Sequence, residues 1–303
     1  MTHPLASVAV TTVPTAGTDP WPTPPLLAHL VDDTSLLAPR SSVPPLDAVV
    51  ARYLAARDGR YGGTVGHLAC PLSRLPALVK ELARVGPARP VDLALVVDTG
   101  LGAVPKALST VLSRPGLVTP RTVETSAPPD VDAVWLDRVA EFVPEDVVAV
   151  VEPRRPASPD PGETAAWLDA VARVADQGCA PKLRCGGPRP SDAPSTEDVV
   201  RFLDLVVGAG RGFTALGLSR VVREPDGTRH GILNLLVAVA RSIAGGDVAG
   251  ALRATDGGAL AAEIGSLSER AVGGVRGLFA RCGADADPAP GTAFAGLGLL
   301  AGG

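Results

Sequence analysis

The chain has 303 residues, a net charge of −4, 46% hydrophobic residues and only 3% aromatics. That apolar content suffices for a folded domain of this size and excludes wholesale disorder, and the core has to be built from Ala, Val and Leu. With 20% charged residues and a slight acidic excess, the composition argues against a nucleic-acid binder or a polybasic membrane-surface protein.

Residues 1–25 are rich in Pro and Thr, without a basic segment or a continuous apolar stretch, and are expected to form a disordered tail rather than a signal peptide. Residues 26–303 are expected to form one domain. The chain has no charge-free run of 18 apolar residues, so no membrane span is expected. Cys70, Cys179, Cys185 and Cys282 form no C-x-x-C pair and read as reduced, buried thiols of a cytoplasmic protein.

From there the chain alternates short apolar runs with amphipathic stretches. Strands are expected at 27–31, 63–70, 91–97, 122–126, 147–152, 181–185, 213–218 and 276–281. Between them, helical spacing links Leu75, Leu78, Val79, Leu82 and Val85, with Ser73 as expected N-cap. The same spacing links Val104, Leu108, Val111 and Leu112, and later Trp167, Leu168, Val171 and Val174. Ser195, with Asp198 three residues on, marks a further helix start. The overlong, Ala- and Gly-rich stretch 245–274 is expected to hold extra helices between strands seven and eight. Continuous Val/Leu runs bounded by helices suit a parallel sheet buried on both faces. Eight β/α units point to a (β/α)8 TIM-type barrel in a single domain, with a doubly wound open parallel sheet as the alternative. Gly208 to Gly212 has the look of a dinucleotide loop but precedes a strand, so it reads as a turn.

In a barrel, functional groups gather at the C-terminal ends of the strands. Those ends carry Asp32, Asp98, Glu124, Glu152, Lys182 and Arg184. Only three of the 28 basic residues are lysines, as in a GC-rich coding background, and Lys182 alone among them falls on a strand. Strand alternation sets Lys182 and Arg184 on one face. A lysine beside an arginine has its ammonium disfavoured, which suits Schiff-base chemistry, and Arg184 can hold a carboxylate or phosphate through its planar fork. Glu124 and Glu152 are the proton-transfer candidates, or simply neutralise the two cations. Gly186 and Gly187 would let the backbone approach a ligand. His230 and Asn234 open the helix after strand seven, whose N-terminus would favour an anion if aimed at the mouth. No His/Cys/carboxylate group has metal-ligand spacing, and no cofactor motif is present.

Several segments resemble a family of functionally uncharacterised bacterial barrel proteins common in high-GC actinobacteria. These are LVDD (30–33), GTVGHLACPLSRL (63–75), KLRCGG (182–187), ALGLSRVVR (215–223), HGILN (230–234) and the closing GLGLL (296–300). The resemblance implies a Lys-x-Arg-x-Gly-Gly strand at Lys182, Arg184, Gly186 and Gly187. It also implies a seventh-strand lysine and a histidine pair, where this chain has Phe213, Ser219 and Arg220. APRSS (38–42) and CGADAD (282–287) are two further departures. The sixth-strand lysine is also similar to that of Schiff-base aldolases such as deoxyribose-phosphate aldolase.

Two functions are therefore expected. One is a lyase or aldolase-like enzyme (or isomerase) acting on a small anionic carbonyl metabolite. The other is a catalytically degenerate barrel serving as a binding or scaffold protein. The expected partner is a small anionic molecule, with no nucleic acid, membrane or cofactor, and homo-oligomer formation left open.

Overall fold

Valine and leucine at alternate strand positions need cover on the outer face of a sheet, and helices following each strand supply it. A computed structural model describes residues 22–300, apart from 40, 158–159, 190–191, 226, 228 and 285–289. Most of the expected tail, residues 1–21, lies outside the described residues.

The strands are β1 (Val31–Asp33), β2 (Val65–Pro71), β3 (Val91–Val96), β4 (Val118–Ser126), β5 (Val148–Glu152), β6 (Ala180–Arg184), β7 (Phe213–Leu216) and β8 (Phe279–Ala284). Each pairs in parallel with the next, and β8 pairs back onto β1 through Val31–Cys282, Asp32–Gly283 and Asp33–Ala284. The sheet therefore closes. The fold is a (β/α)8 TIM barrel in a single domain, and closure overturns the open-sheet alternative.

The first six strands are followed by α1 (Leu46–Arg57), α2 (Leu75–Val85), α3 (Val104–Leu112), α4 (Ala133–Phe142), α5 (Pro161–Asp176) and α6 (Thr196–Gly208). Between β7 and β8 come four helices, α7 (Ile232–Ala244), α8 (Val248–Arg253), α9 (Gly257–Gly265) and α10 (Glu269–Leu278), so the overlong stretch does hold extra helices. A last helix, α11 (Gly291–Gly296), follows β8. Among the described residues no helix is long and apolar enough to cross a membrane.

The larger departures from the sequence expectation have local causes. The first strand begins at Val31 rather than residue 27, because Pro24 O accepts from the N–H groups of Leu27 and Ala28 and His29 is left-handed at φ 49°. The last strand begins at Phe279, because α10 runs on to Leu278. Strand β4 starts four residues earlier than expected, at Val118. Pro120 and Arg121 had disguised it, and the register shift against Leu93 and Ala94 absorbs the irregularity. Ser73 sits in a 3-10 turn ahead of α2, where Arg74 takes the cap position. By contrast, Ser195 and Asp198 do form the reciprocal capping box at the start of α6. The Gly208–Gly212 segment is the α6–β7 turn, with Gly210 left-handed.

The apolar residues lie between sheet and helices. Leu93 and Leu95 of β3, Leu183 of β6 and Phe213 of β7 all pack outward into the buried clusters. Phe213 stacks on Phe279 at 5.1 Å and meets Phe202 edge-on at 5.3 Å. The barrel interior is polar instead, carrying Asp32, His67, Thr122, Glu124, Lys182 and Thr214, all buried. An Ala/Val/Leu-rich composition suggests the layered aliphatic filling usual in such barrels, and here that filling is replaced by charge. Buried charge is tolerated only where it is paired, and the pairing organises the site.

Candidate functional site

Four charged side chains reach the C-terminal mouth from three neighbouring strands. Alternation along β4 and β6 turns Thr122, Glu124, Lys182 and Arg184 inward, and Glu152 ends β5 between them. Lys182 Nζ donates to Glu124 Oε2 across the intervening strand, with both side chains less than a tenth exposed. Thr122 Oγ1 donates to the other carboxylate oxygen of Glu124 at 3.2 Å. Arg184 forms a two-pronged bond to Glu152, Nε to Oε1 at 2.6 Å and Nη2 to Oε2 at 2.8 Å. Each cation thus has its own carboxylate, and this offsets the Lys182–Arg184 repulsion expected from their spacing. Nη1 of Arg184 has no hydrogen-bond partner among the described residues.

All four residues line a cavity of about 420 Å3 at the mouth, together with Asp98 and Leu216. Asp98, just past β3, accepts from both the N–H (3.0 Å) and the hydroxyl of Ser73. Ser73 and Arg74 also line this cavity. Sequence reasoning missed them as site residues because their helix-start pattern suggested capping.

Asp32 does not line the mouth cavity but lies deeper in the barrel. Its Oδ1 accepts from the His67 N–H at 2.6 Å, and Arg281 Nε lies 3.4 Å from its Oδ2. Burial pushes the Asp32 carboxyl up to about 7, against the opposing pull of Arg281 and the His67 N–H. Burial also pushes the His67 imidazole down to about 2, with the Arg281, Arg121 and His29 charges adding to it. Strand alternation on β2 and β8 could have identified His67 and Arg281 as interior groups. His67 and Cys70 face opposite sides of β2, as their spacing requires.

Gly186 and Gly187 serve the chain's own packing. A Cβ at Gly186 would lie 2.5 Å from Gly217 O, and Gly217 itself is left-handed at φ 85°. A Cβ at Gly187 would lie 2.3 Å from Asp192 Oδ2. Gly186→Ala is therefore expected to lower stability by about 1–3 kcal/mol, measured by urea unfolding, since backbone has to move to accept the methyl. An unchanged midpoint would contradict this close approach.

His230 and Asn234 stand at the start of α7, away from the mouth cavity. His230 is buried with Nε2 3.3 Å from Pro194 O. The Asn234 amide is fully used by backbone, accepting from Arg223 N and donating to Ala251 O and Ala254 O. Cys70 and Cys282 are buried on the outward faces of β2 and β8, and Cys185 is buried just past β6; burial pushes the Cys70 and Cys185 thiols up to about 12. Among the described residues no group of three or more His, Cys, Asp or Glu is placed to hold a metal ion.

Comparison with known proteins adds no family name. No protein-family model matches this chain, and no curated protein matches it. The likeness carried by the six segments from LVDD to GLGLL rests on those segments alone.

Proposed function

We propose that the barrel mouth is the active site of a lyase or aldolase-like enzyme acting on a small anionic carbonyl metabolite. The observation that carries this reading is a buried lysine–carboxylate pair, Lys182 with Glu124, in the wall of an open cavity that also holds Arg184. The Lys182 ammonium passes a proton to Glu124, and the free amine adds to the carbonyl carbon of the substrate. Glu124 returns that proton to the oxygen of the carbinolamine, which leaves as water. Carbonyl plus ammonium thus becomes iminium plus water, and the iminium draws electrons from an adjacent C–C or C–H bond. Arg184, oriented by Glu152, offers its Nη1 hydrogens to the substrate's anionic group. Glu152 is the second proton-transfer candidate.

A second reading is a degenerate barrel that binds or scaffolds. The closed pairing of both cations favours it. So does the interior of β7, where Thr214 and Leu216 occupy the inward positions and no lysine is available.

The readings separate by NMR with small 2-oxo acids and phosphorylated ketoses in D2O. The enzyme reading expects deuterium incorporation beside the carbonyl, or bond cleavage, for at least one of them. It also expects Lys182→Arg, which keeps the charge toward Glu124 but has no primary amine, to lose this by about a hundredfold or more. Turnover that survives Lys182→Arg would remove the lysine from the chemistry. No turnover with any compound would favour the binding barrel.

A further inference from the structure

We propose that a second cleft, formed by the loops after β5, β6 and β7, binds the phosphate group of a small phosphate-bearing molecule. This cleft is separate from the mouth cavity, encloses about 890 Å3, and is lined by Arg155, Arg189, Arg201, Arg223 and Arg229. Five guanidiniums facing one cavity is a marked concentration of positive charge in a chain of net charge −4. Carboxylates account for only part of it. Arg155 pairs with Asp198 at 2.8 Å and Arg189 with Asp192 at 3.2 Å. Glu197, the other acid in the lining, is taken by Arg253 at 2.6 Å. Arg201, Arg223 and Arg229 have no carboxylate partner among the described residues.

The way two of these three arginines are held is the second observation. Arg229 Nη2 donates to Gly187 O at 3.2 Å. Arg223 Nη1 lies 3.5 Å from His230 Nδ1. Because Pro194 O can only accept, the His230 Nε2 facing it carries the hydrogen, which leaves Nδ1 as a lone-pair acceptor toward Arg223. Burial and the Arg223 charge both hold His230 in the neutral form this requires. Asn234 fixes the same residue from behind, its Oδ1 accepting from Arg223 N at 2.9 Å. Neutral acceptors orient a guanidinium while leaving its charge unspent, which a surface salt bridge would not do. The HGILN segment thereby acquires a role as the mount for Arg223 rather than as a direct ligand. Fixed forks with unspent charge match a phosphoryl group, which accepts through several oxygens and carries about two charges, better than a monocarboxylate.

The test is calorimetric titration of the whole chain with inorganic pyrophosphate and inorganic phosphate, with acetate as the monoanionic control. The expected result is a single saturable site for pyrophosphate, tighter than for phosphate, with no saturable binding of acetate. Arg223→Gln/Arg229→Gln is expected to weaken it by about tenfold or more, as loss of charged hydrogen bonds implies. Arg220→Gln, which removes an exposed arginine paired with Glu224 outside the cleft, is expected to leave it unchanged. Arg201→Gln, at an exposed helix position, is a second variant that weakens binding with no fold at stake. No saturable pyrophosphate binding, or binding that survives both the double variant and Arg201→Gln, would overturn the proposal. Binding abolished by Arg184→Gln instead would assign the anion to the mouth. Failure at Lys182 leaves this readout untouched, because the cleft shares none of the mouth's paired residues.

Discussion

Lys182→Met lowers the unfolding free energy by about 3–5 kcal/mol, because it leaves the Glu124 carboxylate buried without its cation. The double variant Lys182→Met/Glu124→Leu recovers most of that loss. An apolar pair of similar volume pays no desolvation penalty, and buried ion pairs replaced in this way are often neutral or stabilising. Thr122 Oγ1, which donates to Glu124, is then the one group left without its acceptor and sets the residual cost. Urea unfolding of the two single variants and the double variant closes the cycle. A double variant whose loss equals the sum of the two single losses would mean that Lys182 and Glu124 are not energetically coupled. A double variant more stable than the wild type would mean that the charges are retained at a cost to stability, as in a site kept for ligand or chemistry.

The second large effect is in pH dependence. Asp32, raised from an ordinary value of 3.8 to about 7, holds a proton in the folded state that the unfolded chain has released between those values. It therefore makes stability fall as pH rises from about 4 to 7. His67, lowered from 6.5 to about 2, does the opposite: the unfolded chain binds a proton that the folded state refuses, and stability falls as pH drops below 6.5. Each contributes a slope of about 1.4 kcal/mol per pH unit, and over the shared window the two slopes cancel. Asp32→Asn removes one side of this balance. Between pH 6.5 and 5 it is expected to become more acid-labile than the wild type by about 1.4 kcal/mol per unit. His67→Gln, which keeps the backbone N–H on Asp32, is expected to become relatively more stable over the same interval. Burial is the leading cause of both shifts, so each variant removes its own slope. Parallel stability–pH curves for both variants and the wild type would show that neither group is held as its burial implies.

The barrel was legible in the sequence because each central strand is buried on its outer face by helices and so reads as a Val/Leu run. The ends were not. Val31–Asp33 is three residues long and mostly acidic, and Phe279–Ala284 follows α10 without a break. Alternation along β6 correctly turned Lys182 and Arg184 to one side. Which glutamate each would meet depends on the barrel's closure, and one-dimensional spacing cannot express that. The Gly186–Gly217 contact is equally invisible, since it joins the ends of two different strands. His230 and Asn234 were legible as the opening of the helix after strand seven, but the residue they serve, Arg223, sits across a loop. Arg281 was hidden by its arginine-rich background, where one more arginine carries no signal until its strand face is known.

The Schiff-base function requires that Lys182 meet a carbonyl substrate. Borohydride reduction in the presence of small 2-oxo acids and phosphorylated ketoses, followed by peptide mapping with mass spectrometry, measures this directly. The prediction is a reduced adduct on the peptide containing Lys182, at near-stoichiometric yield with the preferred compound, while Lys80 and Lys106 on the outer helices stay unmodified. Adducts spread evenly over the three lysines, or none at Lys182 with any compound, would contradict it.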